Sequence, residues 1–265
     1  MGAATASSGS EEARGWNESA GRLLGIDALR GVAILMVALY HLIFDLDTFG
    51  GYAVDSLSGF WGGFADVSAG MFIFLVGVSL TLSFARAGGY EGSGGRGLFT
   101  KYLRRGAGIF GYGMAITLVF LVSGLGYVII GILQLIGLSI ILAYPFVRLR
   151  LANLALGALV IAAGLYISSL GVSLPGAGGV LLAPLGVTPE GLVMPDYRPL
   201  LPWFGVVLLG VAAGNLLYAG RKPSGGAAPA PVRPLAFIGR HTLFIYLVHQ
   251  PILIAILAAL GIVSF

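Results

Sequence analysis

Cysteine is absent from the chain. Disulfides, thiolate nucleophiles and cysteine metal sites are therefore excluded, and the redox compartment cannot be read from thiols. Charge is scarce as well, at 10% of residues, where a soluble domain carries roughly a quarter. Histidine occurs only at positions 41, 241 and 249. Separations of 200 and 8 residues give no ligand-spaced pair and the carboxylates are scattered, so no metal centre is expected. A phosphate-cradling GxxxxGKS, a serine elbow and a dinucleotide fingerprint are all missing from any strand-turn-helix setting.

What the chain does have is apolar surface, with 57% hydrophobic residues and a mean hydropathy of +0.95. The apolar residues come in blocks of about 20, the span of a ~30 Å hydrocarbon layer at 1.5 Å per residue. The blocks lie at residues 23–46, 59–85, 106–122, 127–147, 151–170, 200–218 and 243–262. They predict an all-α, polytopic integral membrane bundle of about seven transmembrane helices. The 43 glycines fall largely inside these blocks, where small residues let helices approach closely, and so predict tight packing. Residues 1–21 lack the basic-then-apolar order of a signal peptide and read as a disordered cytoplasmic tail ahead of a membrane domain at 22–265.

Basic residues set the orientation. With seven crossings and the N-terminus inside, the cytoplasmic pieces hold Arg14, Arg22, Arg86, Arg96, Lys101, Arg104, Arg105, Arg148, Arg150, Arg221, Lys222, Arg233 and Arg240, and the external pieces hold Arg198. The positive-inside rule then predicts a multi-pass protein of the plasma membrane with its C-terminus outside. The same topology accounts for the net charge of +4, so nucleic acid is not an expected partner. Residues 171–199 read as a long external connection, re-entrant or lid-like. Residues 222–234, KPSGGAAPAPVRP, read as a flexible cytoplasmic linker. No internal repeat is visible, which withholds support from an inverted-repeat transporter.

Several polar residues need a reason to lie in a membrane. The first block reads GIDALRGVAILMVALYHLIFDLD, with Asp27 and Arg30 three apart near its inner end and His41 and Asp45 four apart near its outer end. Both spacings share a helix face. Arg30 to His41 is eleven steps, about 16 Å of rise and close to three turns, so one stripe carries both at different depths. Asp27 and Arg30 read either as a structural ion pair or as a site. A carboxylate one turn from a histidine is suited to orient the ring of a general base or acyl-accepting nucleophile, the alternative being a satisfied core histidine. Asp66 either meets His41 or Asp45 or caps the second helix. Gln134 and Asn215 fit interhelical hydrogen bonds. His249, beside Gln250 and the kink-forming Pro251, is either structural or lines a cavity.

Five segments occur in an order that resembles one family: RLLGIDALRGVAILMVALYHLIFDL, FADVSAGMFIFLVGVSL, GILQLIGLSIIL, PLLPWFGVVLLGVAAG and GRHTLFIYLVHQPIL. The chain resembles the heparan-α-glucosaminide N-acetyltransferase-like membrane proteins from about Arg22 to Phe265, and more distantly the membrane acyltransferases that O-acylate bacterial surface sugars. In the distant group an Arg followed after ten residues by a His marks the first helix, and Arg30 with His41 has that spacing. The resemblance implies that His41 is catalytic, that acetyl-CoA is the donor and enters from the cytoplasm, and that the acetyl group passes to an acceptor outside, a sugar or glycan. It also implies a homodimer. Larger members have a luminal domain and extra helices with no counterpart here, so amino-sugar specificity is not carried over.

The expectation is thus an acetyl-CoA-dependent transmembrane acyltransferase. His41 and Asp45 are its catalytic pair, and Asp27, Arg30, Asp66, Gln134 and His249 are its substrate-binding residues. Arg104, Arg105, Arg148 and Arg150 are candidates for the coenzyme A phosphates, against the alternative that they are ordinary juxtamembrane anchors. The rival readings are a proton-coupled transporter or flippase using the same polar residues, and a non-catalytic scaffold that would tolerate His41→Ala.

Overall fold

The computed structural model describes residues 5–91, 95–123, 130–191, 196–218 and 232–263, with side chains from residue 24 onward except at 91, 95, 96 and 123. Its helices are α1 (Thr5–Thr48), α2 (Gly59–Arg86), α3 (Gly95–Ser123), α4 (Ile132–Leu142), α5 (Ala152–Ser169), α6 (Gly176–Leu182), α7 (Leu200–Tyr218), α8 (Val232–Arg240) and α9 (Thr242–Ala259). Among the described residues six stretches are long and apolar enough to cross a membrane: Leu24–Thr48, Gly59–Arg86, Gly97–Val122, Ala152–Ser169, Leu200–Tyr218 and Thr242–Ala259. Their exposed faces are apolar, as at Leu118, Val119 and Val122 of α3, which suits lipid and not water.

The fourth apolar block folds as something shorter than the expected span. α4 has 11 residues, about 16 Å of rise, well short of a ~30 Å layer. Pro145 has no N–H to return to Ile141, and Pro145–Leu149 tightens into a 3-10 turn. Residues 124–129 lie outside the described part. Described helices of spanning length therefore number six, where hydropathy predicts seven.

The chain divides into two compact units, one made of Met1–Phe72 with Arg221–Phe265 and the other of Ile73–Gly220. In the first unit α1 packs against α8 and α9. α8 buries Ala236 and Gly239 and exposes Arg233, Phe237 and Arg240, so small residues one turn apart form its contact stripe. A methyl group on Gly31 would run into the Leu235 carbonyl, and one on Gly239 into the Asp27 carbonyl. The two backbones touch there. Composition reads residues 222–234 as a linker. Residues 222–231 lie outside the described part, while Val232 to Pro234 form the first turn of α8, where a proline removes no helical bond. Beyond α1, the Asp47 carboxylate accepts from the Ser56 backbone N–H at 2.8 Å and its hydroxyl at 2.6 Å, which fixes the connection to α2.

In the second unit α5 packs on α7 and α3 on α4, each through a reciprocal glycine contact. Added methyls on Gly157 and Gly205 would each meet the other's carbonyl oxygen, at 2.9 and 2.6 Å. Gly106 and Gly137 repeat the pattern at 2.6 Å both ways. Asn215 donates to the Val147 carbonyl at 3.1 Å and accepts from the Tyr90 hydroxyl at 2.5 Å, and burial raises the Tyr90 pKa. The 171–199 connection is ordered in its described part. β1 (Ser173–Leu174) pairs in parallel with β2 (Thr188–Pro189) around α6. The Tyr197 hydroxyl donates to the Ala183 carbonyl at 2.7 Å, and burial pushes its pKa to about 12, so it stays a donor at working pH.

Candidate functional site

The polar residues of α1 and α9 meet within the first unit. Nδ1 of His41 lies 2.9 Å from the Val37 carbonyl and 3.3 Å from Nε2 of His249, the rings edge-on at 78° with centroids 4.8 Å apart. Nδ1 of His249 lies 2.7 Å from the Tyr246 carbonyl. A carbonyl only accepts, so both Nδ1 atoms carry hydrogen. In the neutral rings Nε2 then holds the lone pair, and the Nδ1–H of His41 is shared between the Val37 carbonyl and Nε2 of His249.

Asp45 takes a different partner from the one its spacing suggests. It is 0% exposed, and its Oδ1 accepts from Nε2 of Gln250 at 2.6 Å. Its Oδ2 and the Gln250 Oε1 are buried with no hydrogen-bond partner among the described residues. Gln250 is a site residue that sequence reasoning named only as a neighbour of the kink. The available signal was its position beside His249, one residue before Pro251, whose missing N–H leaves the Leu247 carbonyl without its helical donor.

At the other end of α1 a second cluster forms. The guanidinium of Arg30 donates to Oδ1 of Asp27 at 3.1 Å, and Nε of Arg240 lies 3.9 Å from the other carboxylate oxygen. Two guanidiniums around one carboxylate leave a net positive charge, and Arg240, read from sequence as a boundary cation, belongs to this group. Asp66 lies exposed on α2.

The remaining candidates belong to the second unit. Gln134 donates from Nε2 to the Thr117 hydroxyl at 2.9 Å, and its Oε1 accepts from the Gly131 N–H at 3.1 Å, capping α4. Gly113 makes room for it, since a methyl there would stand 2.7 Å from the amide carbon. Gln134→Ala is expected to lower stability by about 1–3 kcal/mol, because it orphans a buried cap donor; denaturant titration in detergent measures this. Arg104 and Arg105 are exposed on α3. Arg148 donates to the Gly89 carbonyl at 3.0 Å and lies over the Phe84 ring, while Arg150 lies over Tyr90.

The arrangement offers a histidine base with an oriented ring, buried hydrogen-bond acceptors one turn away, and a cationic cluster about 16 Å down the same helix. No group of His, Asp and Glu among the described residues is gathered for a metal. Comparison with known proteins returns no curated protein and no solved structure. It does return one family, described as "Heparan-alpha-glucosaminide N-acetyltransferase, catalytic", whose profile matches residues 22–251. That match takes in α1 from residue 22 onward, with both of its polar clusters, and α9 through Pro251. The chain belongs to the heparan-alpha-glucosaminide N-acetyltransferase catalytic family, and is a membrane-embedded member of that group of acyltransferases.

Proposed function

We propose that the protein moves an acetyl group from cytoplasmic acetyl-CoA to a hydroxyl or amine of an extracytoplasmic acceptor, a sugar or glycan, with His41 as the general base. The observation that carries this reading is the oriented ring of His41, whose Nδ1–H is committed to the Val37 carbonyl and His249 so that Nε2 holds the lone pair. A base must present a lone pair in a fixed direction to take a proton as the nucleophile attacks. The buried acceptors Asp45 Oδ2 and Gln250 Oε1 complement an acceptor's O–H or N–H. Asp45 joins this site as the hydrogen-bond partner of Gln250, the residue that follows His249 on α9.

Coenzyme A carries several negative phosphate charges, and the net-positive group of Arg30, Asp27 and Arg240 suits its anionic end or an inner gate. Within the second unit, Arg104, Arg105, Arg148 and Arg150 are cations whose charge also suits coenzyme A phosphates. The donor's arm then covers the distance from Arg30 to His41, about half the hydrocarbon thickness. The distribution of Lys and Arg supports a plasma-membrane protein with its N-terminus inside, its C-terminus outside and the region around α4 completing a seventh crossing. A homodimer follows from the family resemblance.

Acetyl-CoA binding to the purified protein in detergent is the test, with intact-mass detection of any acetyl adduct. Saturable binding is expected, weakened about tenfold by Arg30→Ala through loss of a charge-assisted contact. A folded sample that binds no donor at millimolar concentration sinks the proposal and leaves proton-coupled transport as the better reading.

A further inference from the structure

A histidine base becomes an imidazolium as it takes a proton, and that charge needs a partner at the opposite ring nitrogen. An aspartate usually supplies it. Here the carboxylate one turn away is occupied: Asp45 Oδ1 accepts from Gln250 at 2.6 Å. What stands at Nδ1 of His41 is Nε2 of His249, 3.3 Å away. The direction of this contact is fixed from both sides. The Tyr246 carbonyl requires hydrogen on Nδ1 of His249, which makes its Nε2 the acceptor, and the Val37 carbonyl requires hydrogen on Nδ1 of His41, which makes that atom the donor. His249 is 9% exposed, so little solvent competes for its lone pair.

We propose that His249 is the proton-accepting partner of His41, the two histidines forming a relay in which a neutral imidazole stands where a carboxylate is the usual choice. The inference rests on His41 being the base. As the acceptor's oxygen or nitrogen bonds to the thioester carbonyl carbon, its proton passes to Nε2 of His41, and the proton on Nδ1 of His41 shifts to Nε2 of His249. His249 then holds the extra proton with its Nδ1–H still on Tyr246. When the carbon–sulfur bond breaks, the thiolate of coenzyme A recovers a proton by the reverse path, and both rings return to neutral. The pair gains and loses one proton, and no oxidant or further reactant is needed. A neutral relay also leaves no permanent charge at this depth of the membrane, where an unpaired carboxylate is costly.

The test uses the full-length protein in detergent and reads acetyl-CoA turnover as released thiol, together with 15N spectra of histidine-labelled protein. Three histidines make the spectra assignable by substitution. Wild type is expected to show His41 and His249 protonated at Nδ1, with coupling across the His41 Nδ1–His249 Nε2 contact. His249→Ala is expected to lower kcat about tenfold to a hundredfold with KM for acetyl-CoA little changed. His249→Gln, whose amide oxygen accepts the same hydrogen bond but is too weak a base to take the proton, is expected to leave kcat near that of His249→Ala. Recovery of the wild-type rate by His249→Gln overturns the relay and leaves His249 as a group that only orients His41. Unchanged kcat in a folded His249→Ala protein, with His41→Ala inactive, overturns the relay and leaves His41 as the base. Thiol release that survives both substitutions overturns the base assignment itself.

Discussion

His41→Ala is expected to reduce acetyl transfer by about a hundredfold to ten-thousandfold, the range over which a positioned general base contributes. The fold should survive. The ring is half-buried, and among its polar contacts are the Val37 carbonyl of its own helix and His249, two neutral groups that lose a hydrogen bond rather than an ion-pair partner. Thiol release from acetyl-CoA in detergent is the measurement, beside thermal unfolding of the same sample. The prediction holds whether the acetyl group rests on the imidazole or passes straight to the acceptor, because both routes use the lone pair on Nε2. An acetyl adduct that appears on wild type and is missing from the variant separates the first route from the second. A scaffold subunit would tolerate the change without loss, so equal turnover in the two proteins favours that reading.

Most of the helices were legible because lipid imposes a length. Apolar blocks at 59–85, 151–170 and 200–218 correspond to α2, α5 and α7 within a residue or so at each end. α4 was not, since hydropathy over 127–147 cannot distinguish a spanning helix from a short one followed by the 3-10 turn at Pro145–Leu149. Abundant glycine predicted close packing, and the reciprocal pairs Gly157 with Gly205 and Gly106 with Gly137 are that packing; which glycine meets which is tertiary information that no local pattern holds. α8 escaped notice because prolines and glycines dominate the segment before it. At the site, a spacing of four put His41 and Asp45 on one face correctly. It could not say which way each side chain turns, and a donor 205 residues away, Gln250, takes the carboxylate. His249 was visible as a polar residue in an apolar helix, but its contact with His41 depends on how α1 and α9 come together.

Gly239→Leu is expected to destabilise the protein by about 3 kcal/mol or more, the upper end of overpacking costs. The position has no slack. Even the first carbon of a side chain on Gly239 would fall on the Asp27 carbonyl and stand 2.9 Å from the Gly31 nitrogen. Both obstacles are backbone, so no rotamer change relieves the clash and α8 must lift off α1. That movement also carries Arg240 away from the Asp27 carboxylate, 3.9 Å from its Nε, and dismantles the cationic group assigned to the donor. Gly31→Leu should behave alike, since a methyl there strikes the Leu235 carbonyl on the opposite side of the same crossing. Gly25→Ala is the control: it lies on α1 with nothing within 4 Å of an added methyl, and replacing a helical glycine by alanine gains roughly 0.5–1 kcal/mol. Thermal unfolding of the three variants in one detergent should therefore split them, Gly25→Ala at or above wild type and the other two well below it. If Gly239→Leu unfolds with wild-type stability and still binds acetyl-CoA, the α1–α8 crossing has room that the close backbone approach denies, and Asp27, Arg30 and Arg240 need not act as one group.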